Sequence, residues 1–366
     1  MKKTLGRKGN LQREVARLAG VSPATVSRVF AGSTQVNPAL MARVREAAAK
    51  LGVEPNRSNR ATLLAFLLCN RKMLHPFHSR VLDGAEDYCA AHEYSTVFLS
   101  FRYPSNVPWK EIRLPKILER RDSIAGYILA GTNSENLMEL LRHRGSPFSV
   151  LGNNVLGKWA PDPYDVIWFD DIGGAYEATR HFQALGHRDI WYVGNTRLPW
   201  FARRYEGYCR AMTEKGMEPR LSPLDSEDAH DIGYLATKLI ITRREAVTAI
   251  LAGDDATAHG VYRALRDCSL DVPADVSVAG VNDLEGTMLH PRVTSVRTFP
   301  EQVGRQLAEL VFNRLHHPGL APQHRFIPTE LAKRDSVAPP ARGRENGQSS
   351  DSTRQGTPQS TVEERA

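Results

Sequence analysis

The amino-terminal fold is decided by the stretch Glu14-Val-Ala-Arg-Leu-Ala-Gly-Val-Ser-Pro-Ala-Thr-Val-Ser-Arg-Val-Phe30. Its apolar residues recur at helical spacing on both sides of Gly20, a residue type that suits a sharp turn between helices. Ser22 is a favourable helix N-cap, and Pro23 fits the first helical position, where no backbone donor is needed. The stretch therefore predicts a helix, a turn and a second helix, and that second helix carries hydroxyl and guanidinium groups that suit phosphates and base edges.

The run Val-Ala-x-x-Ala-Gly-Val-Ser-x-x-Thr-Val-Ser-Arg-Val over residues 15–29 resembles the headpiece of the LacI/GalR family of bacterial transcription regulators. The alternative is an ordinary helical hairpin. The resemblance implies six DNA-contacting residues: Ser22, Thr25 and Ser27 for phosphates, and Pro23, Ala24 and Arg28 for bases. Arg28 can donate two hydrogen bonds to the O6 and N7 atoms of a guanine, so sequence preference is expected to depend on it. Because one headpiece makes few contacts, we expect a homodimer on a near-palindromic double-stranded DNA operator.

A third helix is predicted to begin at Asn37-Pro38 by the same capping pattern, and to end at Gly52. Its apolar face is formed by Met41, Val44, Ala48 and Leu51. The next segment, Pro55-Asn56-Arg57, also resembles the family, in which Asn-Arg opens a hinge helix that enters the minor groove when two subunits pair. In this chain Thr62 stands where the family has its wedging leucine, and Leu63 lies one position later. The hinge is therefore predicted to be shortened, with Asn56, Arg57 and Leu63 as its residues.

The charge is concentrated at the amino terminus. Residues 1–60 contain twelve Lys and Arg against three Glu, a net charge of +9, whereas the whole chain carries +7. A basic head on a slightly acidic body is typical of a nucleic-acid-binding module attached to another domain. A solvated run of charge is the simpler alternative.

The composition argues against a membrane or secreted protein. No run approaches the roughly 18 apolar residues of a membrane span, and no charged-then-apolar leader opens the chain, so a cytoplasmic protein is expected. The four cysteines lie far apart without metal-ligand spacing. Buried reduced thiols are therefore predicted at Cys69, Cys89, Cys209 and Cys268, and neither a disulfide nor a zinc site.

From Thr62 onward, short apolar runs alternate with amphipathic helical stretches. The runs lie at 63–69, 96–101, 124–130, 148–151, 166–169, 190–193, 247–252 and 276–281. This alternation predicts parallel sheets covered by helices on both faces. The fold class is thus a small all-α helix-turn-helix headpiece followed by an α/β core of two doubly wound parallel-sheet lobes, with ligands beyond the carboxyl ends of the strands.

The same span resembles the family's effector-binding core, which is similar to periplasmic sugar-binding proteins. The matching pieces occur in family order and include Asp170-Asp171, Arg204-Tyr-Glu-Gly207 and Asp254-Asp255. The resemblance implies that a small-molecule effector, a sugar or sugar derivative, binds between the lobes. Its expected contacts are Phe77, Phe169, Trp200, Arg204, Asp254 and Asn282.

The chemistry of these side chains suits a polar ligand. Arg204 can donate two parallel hydrogen bonds, and Asp254 can accept from a hydroxyl or pair with a cationic group. Asn282 stands where many family members have Asp, which favours a hydroxyl-rich or neutral ligand. The three aromatic residues could stack on the apolar face of a sugar, or could simply pack in the core.

Two patterns resemble catalytic or metal sites. His75-Pro-Phe-His78 has metal-ligand spacing but no accompanying Glu or third ligand, so a pocket or solvent role is favoured. Asp254-Asp255 could be paired carboxylates, but adjacent residues at a strand end point in opposite directions, and one commonly caps the next helix. Because phosphate-loop, dinucleotide and nucleophile-elbow motifs are lacking, we predict no cofactor and no enzymatic activity.

The sequence therefore divides into four segments. They are a headpiece over 1–54, a shortened hinge over 55–62, an effector-binding and dimerisation core over 63–338 with crossovers near 168, 297 and 328, and a disordered tail over 339–366. The expected function is a DNA-binding transcriptional regulator, a repressor, controlled by a small carbohydrate. The alternatives are a sugar-binding sensor of the same core fold with impaired or unregulated DNA binding, and an enzyme on the doubly wound core.

Overall fold

The computed structural model describes residues 12–30, 36–51, 62–71, 75–119, 123–222, 224, 226, 228–284 and 288–341. Its amino-terminal part consists of helix α1 over residues 12–19, α2 (Pro23–Phe30) and α3 (Pro38–Lys50). They enclose a small apolar core in which Val15, Val26 and Val44 are fully buried. The predicted helix, turn and helix is confirmed.

Local hydrogen bonds explain where these helices begin. The Ser22 hydroxyl accepts from the Thr25 backbone N–H at 3.1 Å, and the Asn37 side chain accepts from the Ala39 N–H at 2.9 Å. Both predicted caps are therefore confirmed. Leu51, by contrast, caps the carboxyl end of α3 and is 38% exposed, so its predicted place on the buried face is wrong.

The rest of the chain forms two six-stranded sheets with helices on their faces. The first lobe contains the strands β1 (Leu63–Leu67), β2 (Ser95–Leu99), β3 (Ile124–Leu129), β4 (Phe148–Leu151), β5 (Asp165–Phe169) and β11 (His324–Ile327). The second lobe contains β6 (Ile190–Val193), β7 (Arg220–Leu221), β8 (Ala249–Ala252), β9 (Ser277–Asn282), β10 (Thr294–Arg297) and β12 (Glu330–Ala332). The helices are α4 (Pro76–Ala91), α5 (Lys116–Glu119), α6 (Glu135–His143), α7 (Asp171–Ala184), α8 (Pro199–Glu214), α9 (Ala229–Thr242), α10 (Asp255–Arg266) and α11 (Pro300–His316).

The strand order is β11-β5-β4-β3-β1-β2 in the first sheet and β12-β10-β9-β8-β6-β7 in the second. All neighbouring pairs are parallel except β10 with β12. The predicted α/β core of two parallel-sheet lobes is therefore confirmed. The chain passes between the sheets after β5, after β10 and after β11, so α11 follows a strand of the second sheet but packs on α4 of the first lobe.

The structure corrects the assignment of Leu63 to the hinge. Leu63 is the first residue of β1 and pairs with Ser95 on one side and Ile124 on the other. A residue held between two strands cannot wedge between base pairs, so it is not a hinge residue. The other two hinge residues, Asn56 and Arg57, and the predicted tail from residue 342 onward lie outside the described residues.

Two smaller expectations have mixed outcomes. The four cysteines are free thiols, but only Cys69 and Cys89 are buried, whereas Cys209 and Cys268 are half-buried. Among the described residues, no helix is both long enough and apolar enough to cross a bilayer.

Candidate functional site

The second helix of the amino-terminal part presents a polar outer face. Val26, Val29 and Phe30 are buried, whereas the five residues Ser22, Pro23, Ala24, Ser27 and Arg28 are exposed. The half-buried Thr25 hydroxyl lies 2.9 Å from the Ser22 hydroxyl. The residues predicted to contact DNA thus lie opposite the apolar core, where a DNA groove could reach them.

A second cluster of polar residues lies between the lobes, at the carboxyl ends of the strands. Asp171, at the start of α7, accepts from Arg204 Nε of the second lobe at 2.7 Å and from Asn153 Nδ2 of the first lobe at 2.9 Å. Arg71 follows β1, and its Cζ atom lies 4.6 Å from the centre of the Trp200 ring in α8. The two lobes therefore meet through polar contacts at the edge where doubly wound sheets bind ligands.

Arg204 is held by three protein groups. Besides Asp171, its Nη1 donates to the Gly253 carbonyl at 2.6 Å and its Nη2 to Asn282 Oδ1 at 3.1 Å. Burial opposes its charge, but attraction to Asp171 outweighs that cost and raises the pKa of Arg204. Arg204 and Asn282, both predicted as effector contacts, thus lie in hydrogen-bond contact with each other, and these three bonds use three of the five guanidinium N–H groups.

Asp171 is the central residue that the sequence left without a role. Its neighbour Asp170 caps α7 by accepting from the Gly173 N–H at 2.7 Å, while Asp171 turns inward and is 3% exposed. From the sequence alone, Asp171 could not be distinguished from a second capping residue, because its partner Arg204 is distant in sequence. The sequence signal was the doubled Asp directly after a buried strand.

The two carboxylates of Asp254-Asp255 diverge, as predicted for adjacent residues. Asp254 accepts from the Thr257 N–H at 2.8 Å and from its hydroxyl at 2.7 Å, which caps α10. Asp255 accepts instead from the Leu284 N–H at 2.7 Å and the Ser295 hydroxyl at 3.1 Å, inside the second lobe. They do not form a catalytic pair.

The predicted aromatic contacts fall into two groups. Phe77 and Phe169 pack against each other, with ring centres 5.5 Å apart, within the core of the first lobe. Their position favours core packing over ligand stacking. Trp200 belongs to the core of the second lobe but carries the Arg71 guanidinium over its face, so it borders the cleft.

The two histidines of the HxxH pattern, His75 and His78, make different hydrogen bonds. His75 Nδ1 accepts from the Phe77 N–H at 3.3 Å and caps α4. His78 Nε2 lies 3.2 Å from Asn154 Nδ2, which can only donate, so the His78 proton is assigned to Nδ1. That Nδ1 is buried without a hydrogen-bond partner among the described residues. Within the same described part of the chain, no group of three or more His, Cys, Asp or Glu residues is arranged to hold a metal.

The buried histidines predict a loss of stability in mild acid. Burial, and then the charge of Arg71, lowers the pKa of His78 well below its ordinary value near 6.5, and burial also lowers the pKa of His181 and His187. The unfolded chain binds protons at these sites more readily, so the free energy of unfolding should fall as pH drops below about 6.5, by up to about 1.4 kcal/mol per pH unit for each histidine. In urea titrations from pH 7.5 to 5.5, His78→Gln should reduce the decline by about 1 kcal/mol. The exposed His317→Gln is the control, and an equal decline in wild type and His78→Gln would refute this account.

Comparison with known proteins agrees with this geometry. Residues 12–56 match the profile of bacterial regulatory proteins of the lacI family, and residues 179–337 match that of a periplasmic binding protein-like domain. The chain belongs to the LacI family. It is accordingly a DNA-binding transcriptional regulator, and the headpiece resemblance is confirmed over the alternative of an ordinary hairpin.

Relatives of this LacI-family chain match along most of its length. The HTH-type transcriptional regulator CelR of Thermobifida fusca is 29% identical over 88% of this chain and 96% of its own. The ribose operon repressor of Escherichia coli K12 is 27% identical over 89% and 99% of the two chains. The structure of a CelR–cellobiose complex superposes with a TM-score of 0.64 at 27% identity, covering 89% of this chain and 99% of that one. These relatives are named as transcriptional regulators, not as enzymes.

Proposed function

We propose that this LacI-family chain is a repressor that binds a near-palindromic operator as a homodimer and responds to a small sugar or sugar derivative between its lobes. The observation that carries the proposal is the polar contact between the lobes, where Asp171 holds Arg204 from one lobe and Asn153 from the other. The named relatives include a ribose operon repressor and a CelR–cellobiose complex, which supports a carbohydrate effector.

The proposed mechanism is a shift between lobe arrangements. A ligand that bridges Arg204 and Asn282 to the first lobe binds one arrangement more tightly than the other, so it changes the population of the two. Because the headpiece precedes the first lobe, that shift changes how the two headpieces of a dimer are presented to DNA. The proposal keeps the headpiece at 1–54, the hinge at 55–62 and the core at 63–338, with dimer contacts in the core.

Arg28 provides the test of DNA recognition. Selection of bound fragments from random DNA by the purified protein at physiological salt should recover a palindrome with a guanine in each half-site. Arg28→Ala should weaken operator binding by about 10- to 100-fold, because a bidentate guanine contact contributes about 1–3 kcal/mol of discrimination, while non-specific binding falls only slightly.

The control is Arg45→Ala, which removes an exposed positive charge from α3 instead of α2. It should leave the preference for the operator intact. If Arg28→Ala and Arg45→Ala lower specific and non-specific binding equally, Arg28 does not read bases. Salt-sensitive binding without any recoverable motif would favour the alternative of a sensor with unregulated DNA binding.

A further inference from the structure

The cleft between the lobes contains an arginine without a counter-ion in contact. Arg71 is half-buried and stacks over Trp200, yet it forms no hydrogen bond or ion pair with any residue that the structure describes. Burial lowers the pKa of its guanidinium, and the charge of Asp254 offsets this only in part. Burying a cation costs free energy unless a negative group pairs with it. The Arg71 guanidinium therefore favours binding of an anion at this position.

A second arginine nearby is also incompletely paired. Arg203 Nε lies 3.5 Å from Asp171 Oδ2, too long for a good hydrogen bond, and its Nε and Nη2 atoms are buried without a hydrogen-bond partner among the described residues. Arg203 follows Trp200 by three positions on α8, so the two side chains are neighbours on one helix face. The Arg203 Cζ atom lies 5.9 Å from the centre of the Trp168 ring of β5. Arg203 thus reaches from the second lobe to the first, as Arg71 reaches from the first lobe to Trp200.

The nearby carboxylates are already engaged. Asp171 is shared by Arg204 and Asn153, and Asp254 caps α10 through Thr257. The unpartnered groups around Arg71 and Arg203 are therefore donors, and the buried Nδ1–H of His78 adds a third. Arg203 is also attracted by the exposed Glu206, so Arg71 is the cation that none of these carboxylates contacts.

Building on the proposed function, we infer that the effector is an anionic polyhydroxyl compound, a sugar acid or sugar phosphate, whose negative group binds to Arg71. A carboxylate or phosphate accepts paired hydrogen bonds from guanidinium groups and would supply the missing charge. A neutral sugar would occupy the Arg204 and Asn282 end but leave Arg71 without a negative partner. The inference thus separates this chain from the ribose operon repressor and the CelR–cellobiose complex, whose names refer to uncharged sugars.

The first test uses inorganic anions as probes of the Arg71 site. Thermal unfolding of the full-length protein is followed in sodium sulfate and in sodium phosphate against sodium chloride at equal ionic strength. We expect sulfate or phosphate to raise the midpoint by about 3 °C in wild type, as millimolar binding to the folded state would. Arg71→Gln should lose most of that rise. An equal rise in Arg71→Gln would overturn the inference.

The matched control is Arg210→Gln. Arg210 lies on α8, the helix that carries Trp200, and its Cζ atom lies 4.1 Å from the centre of the Tyr176 ring. Its side chain is 53% exposed and lies outside the cleft. It should respond to sulfate as wild type does. If both variants lose the effect, the anion acts on the general charge of the protein and the inference fails.

A second test uses matched ligand pairs and calorimetry. Glucose is compared with gluconate, glucuronate and glucose 6-phosphate, and ribose with ribose 5-phosphate, so that carboxylate and phosphate are distinguished. A binding acid should lose about 10-fold or more in affinity in Arg71→Gln, since a hydrogen bond between charged groups contributes about 1.5–3 kcal/mol. A neutral member that binds more tightly than its acids, with equal affinity for both proteins, would overturn the inference.

The outcomes separate this inference from the proposed function. An operator palindrome that a neutral sugar releases equally from wild type and Arg71→Gln would retain the function and remove the anionic effector. An anion effect that depends on Arg71, with no recoverable operator, would retain the anion site and remove the repressor. If none of the acids in the panel binds, the sulfate and phosphate experiment alone decides.

Discussion

Replacing Asp171 by alanine is expected to lower the free energy of unfolding by about 3–5 kcal/mol. The side chain is fully buried and accepts from Arg204 Nε at 2.7 Å and from Asn153 Nδ2 at 2.9 Å. Its removal leaves the Arg204 guanidinium, itself 3% exposed, without a counter-ion. Breaking one side of a buried pair costs far more than the pair contributes, because the remaining charge stays desolvated. The same change should abolish any effector response that depends on the position of Arg204.

The control for Asp171→Ala is Asp335→Ala. Asp335 lies 3.3 Å from Arg292, but the two side chains are 61% and 56% exposed, so losing this pair should cost less than about 1 kcal/mol. Urea unfolding followed by tryptophan fluorescence compares both variants with wild type at pH 7.5. Equal losses in the two variants would show that the Asp171 cluster does not stabilise the junction of the lobes.

Replacing Gly304 by alanine is expected to lower the free energy of unfolding by about 3 kcal/mol. A Cβ atom at Gly304 of α11 would lie 1.8 Å from the Val81 carbonyl oxygen of α4, and one at Gly84 of α4 would lie 1.9 Å from the Glu301 carbonyl oxygen of α11. The two helices thus approach each other through glycines on both sides. Because the obstructing atoms are backbone, the helices must move apart, and overpacking of this kind costs about 1–3 kcal/mol or more.

Gly319→Ala provides the matched control, since a Cβ atom there would meet nothing within 4 Å. It should change the unfolding midpoint very little. Hydrogen exchange on Gly304→Ala should show faster exchange in α4 and α11 than in the helices of the second lobe. An unchanged midpoint would mean that the helix pair is less closely packed than its geometry indicates.

Local sequence patterns predicted eight of the twelve strands that the structure describes, but not the order in which they pair. The runs 148–151 and 190–193 coincide with β4 and β6, because buried parallel strands are continuous apolar runs. The strands β7, β10, β11 and β12 were not predicted, because they are short and polar residues interrupt their apolar pattern. The caps His75 and Asp170, which set where α4 and α7 begin, were not predicted.

The sequence predicted interactions between residues that are close in the chain, but not contacts between residues that are far apart in it. Ser22 and Asn37 cap helices within three residues of themselves, and both were found. Arg71 becomes notable only because Trp200 lies against it, a contact between residues far apart in sequence. Its one sequence signal was its place just after the first strand, at the edge where such folds bind ligands.

The path of the chain has a consequence for synthesis on the ribosome. The first lobe contains β1 to β5, α11 and β11. Of these, α11 and β11 are synthesised only after β6 to β10 of the second lobe. Residues 170–297 are therefore inserted between two parts of one folding unit. At about 5–20 residues per second, synthesis of this insertion takes roughly 6 to 26 s, during which the face that α11 will cover stays open. During that interval the first lobe is incomplete, and its uncovered apolar face can associate with other chains unless a chaperone binds it.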